Sequence, residues 1–382
     1  APQDIRDRIT GWTWLEEEMP YTIVAAPIQA RNNDFVAGIE FQSNFVPSWT
    51  RYTSQAMQNI SALHTNWTIL TPSWTFSNTS PLVFGPQPAE DPLWDDTKLM
   101  LEQAAALNLN TALFPQPHFP ESVDNWWINA PRDFGWWNDW FDHYRQFALH
   151  HADIAARNNV PTLILGGDWL APAMQNGLLA DGQSSAVPAD AELRWNAIIT
   201  EVRTHFAGEI WWAMPYTSGS LNSAPPFIKS VDGVYLLWDA PLSQGSPIDK
   251  TAMTNEAIRL LDEEISPYQV SVEKDIIIGL AVPSASGAES ACVPNVTGGC
   301  YNWKELNRPN ADIPSVGLNL QAQTDVYEAM LNAINGRAWV NGIVSRGYYP
   351  PVILRDKSAS IYGKTSGDLL WYWYPRLLGL AQ

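Results

Sequence analysis

Short apolar runs alternate with longer stretches of helical periodicity along almost the whole chain. Residues 35–41, 67–74, 111–118, 161–165, 209–214, 233–238, 275–282 and 339–345 each have strand length and composition. Between and after them the spacing of apolar positions predicts helices over 54–64, 95–107, 136–158, 191–206, 255–265, 321–335 and 368–378. The clearest is 136–158, where Trp137, Trp140, Phe141, Tyr144, Ala148, Ala152 and Ala155 form one stripe, the face that packs on a sheet. Repeated β/α units of this kind predict an α/β protein, a single (β/α)8 barrel with enlarged βα loops spanning 35–382. Residues 1–34 fall outside the repeat and are expected to form an extension packed on the barrel.

A barrel puts its chemistry in the loops after the strand ends. That rule shortens the list of acids to Glu40 after the first run, Asp168 after the fourth and Asp239 after the sixth, with Glu289 further along the loop after the seventh. Asp168 closes Pro161-Thr-Leu-Ile-Leu-Gly-Gly-Asp-Trp169, where an apolar strand stops at a carboxylate beside an indole. It is either an acid in the site or a helix N-cap. Asp239 is either catalytic or a turn residue before Pro241. Glu40 interrupts an apolar run, where a charge is costly unless paired. It is either a site carboxylate or half of an ion pair inside the barrel mouth, with Arg346 the cation at hand.

Composition narrows the ligand. Net charge is −18 with an isoelectric point near 4.6, which disfavours nucleic acid and anionic membranes as partners and favours a neutral ligand. No stretch approaches the ~20 apolar residues of a membrane span. The start, Ala1-Pro-Gln-Asp4, has no signal-peptide pattern, so a leader is expected to have been removed already. Cys292 and Cys300, eight positions apart in a Pro/Gly-containing loop, either close a small disulfide hairpin or stay reduced. A disulfide with an acidic, Lys-poor composition points to a secreted protein.

Tryptophan occurs 20 times in 382 residues. Its flat apolar face and single N–H suit the C–H face of a sugar ring. Trp74, Trp169, Trp212 and Trp238 fall at or beyond strand ends, as do His118, Tyr216, Arg346 and Tyr348, and these are the expected carbohydrate contacts. Strand residues alternate sides, so about half should face the cleft; of Trp211 and Trp212, one is core. No nucleophile elbow, zinc-protease helix, P-loop or dinucleotide fingerprint appears, and no cofactor or metal is expected.

Asn138-Asp-Trp-Phe-Asp-His-Tyr-Arg-Gln-Phe-Ala148, followed by Ala152-Asp-Ile-Ala155 and Leu163-Ile-Leu-Gly-Gly-Asp168, resembles a pattern of glycoside hydrolase family 113. Looser similarity follows in Thr71-Pro-Ser-Trp74, Pro115-Gln-Pro-His118, Ala213-Met-Pro-Tyr216 and Asp239-Ala-Pro-Leu242. The resemblance implies a (β/α)8 fold from a clan of retaining glycosidases and a β-mannan substrate. It implies an acid at Asp168, where the family carries Glu. It does not supply the family's nucleophile, because the seventh strand reads Ile278-Gly-Leu-Ala-Val-Pro-Ser284. Glycoside hydrolysis uses two carboxyl groups, about 5–5.5 Å apart for retention or roughly 6.5–9.5 Å for inversion. The expectation is a secreted glycoside hydrolase acting on a neutral glycan, with Asp168 as acid and Asp239 or Glu40 as second carboxylate. The alternative is a carbohydrate-binding barrel that has lost its nucleophile.

Overall fold

The computed structural model describes residues 27–31, 34–41, 50–243, 249–296, 298–301, 306, 313 and 315–381. Strands β1 (Val36–Phe41), β2 (Trp67–Leu70), β3 (Ser73–Thr79), β4 (Leu82–Gly85), β5 (Asn110–Leu113), β6 (Gln116–His118), β7 (Thr162–Gly166), β8 (Glu209–Tyr216), β9 (Gly233–Trp238), β10 (Asp275–Leu280) and β11 (Val340–Tyr348) appear in chain order. Eight of them close in the order β1-β11-β10-β9-β8-β7-β5-β2, every neighbouring pair parallel. The strands are near-continuous apolar runs because both of their faces are covered. The (β/α)8 barrel is as the periodicity predicts.

The helices are α1 (Thr50–Ala62), α2 (Trp94–Ala105), α3 (Val123–Asn129), α4 (Phe134–Arg157), α5 (Ala191–His205), α6 (Lys250–Leu260), α7 (Ser266–Val272), α8 (Leu320–Asn335) and α9 (Thr365–Leu377). Caps set several starts: Asp133 accepts from the Trp136 N–H at α4, and Asn319 accepts from the Ala322 N–H at α8. The expected α4 stripe is buried against the barrel. The helix expected over 255–265 is longer, running from α6 through a π-turn at Leu261–Ile265 into α7.

Two predicted strands are each split. The run 67–74 bends after Leu70, and 111–118 bends after Leu113; Pro72 and Pro115 stand at the bends. The continuations β3 and β6 pair with each other, and with β4 make a three-stranded sheet. Because β3 and β6 continue β2 and β5 past their ends, this small sheet stands over the C-terminal mouth of the barrel.

Of the expected extension, 27–31 and residue 34 are described and the rest lies outside the described residues. Arg31 bonds to carbonyls of α8 and α9, and Asn335 binds the Pro27 carbonyl and the Gln29 N–H. Among the described residues, no helix is long and apolar enough to cross a membrane. Cys292 and Cys300 form a disulfide with Cα atoms 5.0 Å apart.

Candidate active site

Alternation along the strands decides what enters the barrel. Val36, Ile69, Ala112, Ile164, Trp211, Ala213, Tyr235, Leu237, Ile277 and Val344 fill the interior as a cluster separate from the helix-facing core. Glu40 and Arg346 continue the inward rows of β1 and β11 toward the C-terminal mouth. There Glu40 accepts hydrogen bonds from Arg346 Nε and Tyr235 Oη, each at 2.8 Å. Glu40 is 0% exposed and Arg346 4%. Of the two readings of Glu40, the structure shows the ion pair.

Burial alone would lower the Arg346 pKa; the Glu40 carboxylate, with Tyr235 and Asp168, more than offsets that and keeps the guanidinium firmly charged. Burial and the Glu40 charge raise Tyr235 well above the ordinary phenol range, so it remains an O–H donor. Gly279 makes room for this network: a Cβ there would stand 2.6 Å from Tyr235 Oη and 2.8 Å from Arg346 Cδ. A carboxylate side chain therefore has no space at the inward-facing Gly279 of β10.

Asp168 is half-buried at the start of a short 3-10 turn, Asp168–Ala173, and lies near enough to Arg346 to contribute to its charge state. Gly166 and Gly167 deliver it there with φ of 92° and 133°, values that L side chains rarely adopt. A Cβ on Gly167 would also strike the Trp169 indole at 2.8 Å. Asp239 is half-buried just past β9, and its N–H bonds to the Tyr216 carbonyl. It lines a pocket with Trp238, Ala281, Val282 and Glu289. Glu289 is half-buried there, and the disulfide loop borders the pocket through Val293 and Tyr301.

Most of the expected aromatic contacts pack elsewhere. Trp212 and Tyr216 share the outward row of β8: Trp212 packs on Trp195 and Phe227, while Tyr216 packs on Trp238 and donates to Glu264. Trp74 sits among Phe84, Phe147, His150 and His151 on the flank of α4. Trp169 is buried among Phe76, Phe119, Trp140 and Tyr144, and Tyr348 stacks on Tyr362. Trp211 points into the barrel and donates to Glu209. The abundance of tryptophan thus builds a continuous aromatic wall between the strands and α3, α4 and α5. Trp238 alone of these borders the pocket beside Asp239.

His118 ends β6 on the small sheet, with its side chain 23% exposed and Nδ1 3.1 Å from Asp91 Oδ1. Asp91 is 0% exposed and also accepts from Ser73 Oγ at 2.6 Å, Thr75 Oγ1 at 2.9 Å and the Gln87 N–H at 2.9 Å. Sequence reasoning missed Asp91, because an acid beside Glu90 in a Pro-rich loop carries no periodic signal. It also missed Tyr235, which the inward row of the sixth strand marks. Among the described residues no three His, Cys, Asp or Glu side chains gather as metal ligands.

The model of glycoside hydrolase family 113 matches residues 47–220, a span that includes β7 and Asp168. The chain is a distant GH113-like protein. The solved structure of a GH113 β-mannanase from Alicyclobacillus acidocaldarius, in complex with ManMIm, superposes with TM-score 0.66 at 20% identity, covering 90% of this chain and 98% of that one. A GH113 β-1,4-mannanase gives TM-score 0.63 at 18% identity, covering 89% and 98%. A family 1 β-glucosidase from Thermotoga maritima gives 0.52 at 11%, covering 92% and 98%. Among curated proteins no sequence matches. Asp168 follows β7, the fourth strand of the barrel, and the Glu40–Arg346–Tyr235 network fills the mouth beside it.

Proposed function

We propose that the protein is a secreted glycoside hydrolase that cleaves a neutral β-linked glycan, with a mannan as the first substrate to test. The observation that carries this reading is the family match over the strand that presents Asp168 at the C-terminal mouth, beside a buried and charged Arg346. Asp168 is the proton donor to the leaving oxygen, and Asp239 is the second carboxylate. Glu40 serves as a positioning residue, its Oε2 accepting from Arg346 Nε and Tyr235 Oη. The mannan assignment is supported by what the two mannanase structures are described as cleaving, and export by the disulfide and the acidic composition.

One observation favours a second reading. Gly279 leaves no space for a carboxylate at its position on β10, as in a carbohydrate-binding barrel without a nucleophile. A reducing-sugar and product-profile screen against neutral glycans, run beside Asp168→Asn, separates the two. Cleavage that falls by roughly 10²-fold or more in Asp168→Asn supports the hydrolase. Binding without cleavage in the wild type supports the binding barrel.

A further inference from the structure

The Asp91–His118 pair lies outside the reading above, yet its surroundings place it at the same turn. On β6, Gln116 Oε1 lies 3.4 Å from where a Cβ of Gly167 would stand. On the other side of His118, Phe119 packs edge-on against Trp169 with ring centroids 5.9 Å apart. Residues 116–119 therefore run alongside the turn 167–169 that carries Asp168. The His118 ring is part-exposed on the small sheet over the mouth, while its carboxylate partner is fully buried beneath that sheet.

The protons on this pair follow from Asp91. Burial alone would raise its pKa, but hydrogen bonds from His118, Ser73 and the Gln87 N–H, with the attraction of the His118 ring when protonated, outweigh that and hold it below the ordinary carboxylate range. Ionised Asp91 can only accept, so Nδ1 of His118 carries the hydrogen. That leaves Nε2 as the nitrogen for a ligand, and with the Nδ1 proton alone on the ring it is a lone-pair acceptor. A hydrogen-bond acceptor there matches a hydroxyl group, and a neutral glycan presents one at almost every carbon. Ser73, Thr75 and Gln87 complete the Asp91 shell, so the carboxylate cannot swing away and release the ring.

We propose that Asp91 is a positioning residue that locks His118 as an acceptor-only contact for a sugar hydroxyl beside Asp168. The arrangement selects glycans whose hydroxyl is free at that place and rejects those in which it is deleted or methylated, since a buried acceptor left without its donor costs binding. The proposal rests on the hydrolase reading for its ligand and on the Asp91–His118 geometry for its chemistry.

The test is long-range ¹H–¹⁵N NMR of the histidine rings in the full chain, with His118 assigned from His118→Gln. The expected spectrum has a proton on Nδ1 and none on Nε2, and Asp91→Asn reverses or mixes the two. Addition of β-1,4-mannohexaose should move the Nε2 resonance, and Asp91→Asn should raise KM roughly tenfold with less effect on kcat. A structural staple would instead lower stability without the tautomer change or the KM split. A proton on Nε2 in the wild type, or bound hexaose that leaves Nε2 unmoved, overturns the proposal. Absence of any glycan cleavage with the expected tautomer and a responsive Nε2 overturns the hydrolase reading alone.

Discussion

Glu40 shows how one charged residue organises a barrel mouth. Its cost of burial is offset where Arg346 and Tyr235 point at the same oxygen. Glu40→Gln should therefore cost about 3–5 kcal/mol, because it strands a buried guanidinium, and urea denaturation reads that loss. Replacing both partners, Glu40→Gln with Arg346→Met, should recover a good part of it; a double variant as unstable as the sum of the singles would show that the pair is not coupled. A second residue-scale prediction concerns acid. Burial, then the neighbouring His150, pushes His151 down to about 3 from an ordinary 6.5. The folded state keeps this ring neutral while the unfolded chain takes up a proton below pH 6.5. Its contribution is thus complete above pH 6.5 and is lost as pH falls toward 3. Asp91 acts in the same direction at lower pH: its depressed pKa gives stability above the ordinary carboxylate value that disappears as pH falls through the folded one. Between pH 7 and pH 4.5 the urea midpoint should fall, and His151→Leu should fall less. An identical slope in the variant would assign the acid sensitivity elsewhere.

At the scale of elements, the period of the pattern was a better guide than the identity of the aromatics. All eight barrel strands and their helices follow from apolar runs and helical spacing, because burial on both faces leaves parallel strands no polar alternation to confuse the reading. Glu40 was legible for the same reason: a charge inside such a run demands a partner. Trp212, Trp169 and Trp74 were misplaced because strand ends look alike in sequence whether the next side chain turns inward or outward. One residue of register decides it, and Gly166 and Gly167 break the register just where it matters. Asp91 was invisible, since its partners Ser73, Thr75 and His118 come from two bent continuations that the sequence presents as single strands. The disulfide loop was legible from spacing, and it borders the pocket that Asp239 lines. Cys292→Ser with Cys300→Ser should cost about 2–3 kcal/mol through loop entropy, measured by thermal denaturation with and without reductant. Wild type under reductant should match the variant, and no difference between oxidised and reduced protein would mean that the loop is held by other contacts.

For the whole molecule, the decisive question is which end of the barrel meets the ligand. A cavity of about 850 Å³ opens at the N-terminal mouth among Asp34, Trp67, Glu209, Trp211 and Asp275. Volume alone points to that end, while the candidate acids Asp168 and Asp239 lie at the other. Asp168, Asp239 and the Arg346 network each lie where the barrel strands finish, which is where a parallel barrel can vary its loops without disturbing its hydrogen-bonded staves. With a net charge of −18 the protein would gain nothing from long-range attraction to the neutral glycan proposed, and contacts at the mouth would have to supply the affinity. Hydrogen–deuterium exchange with a bound glycan decides between the two ends. Protection should appear in the turn 166–169, in 116–119 and in 346–349, and the segments 34–36 and 209–211 should exchange as in the free protein. Binding should change little between low and moderate salt, because no charge on the ligand is there to be screened. Protection confined to the N-terminal mouth would move the site to the large cavity and leave Asp168 a turn residue.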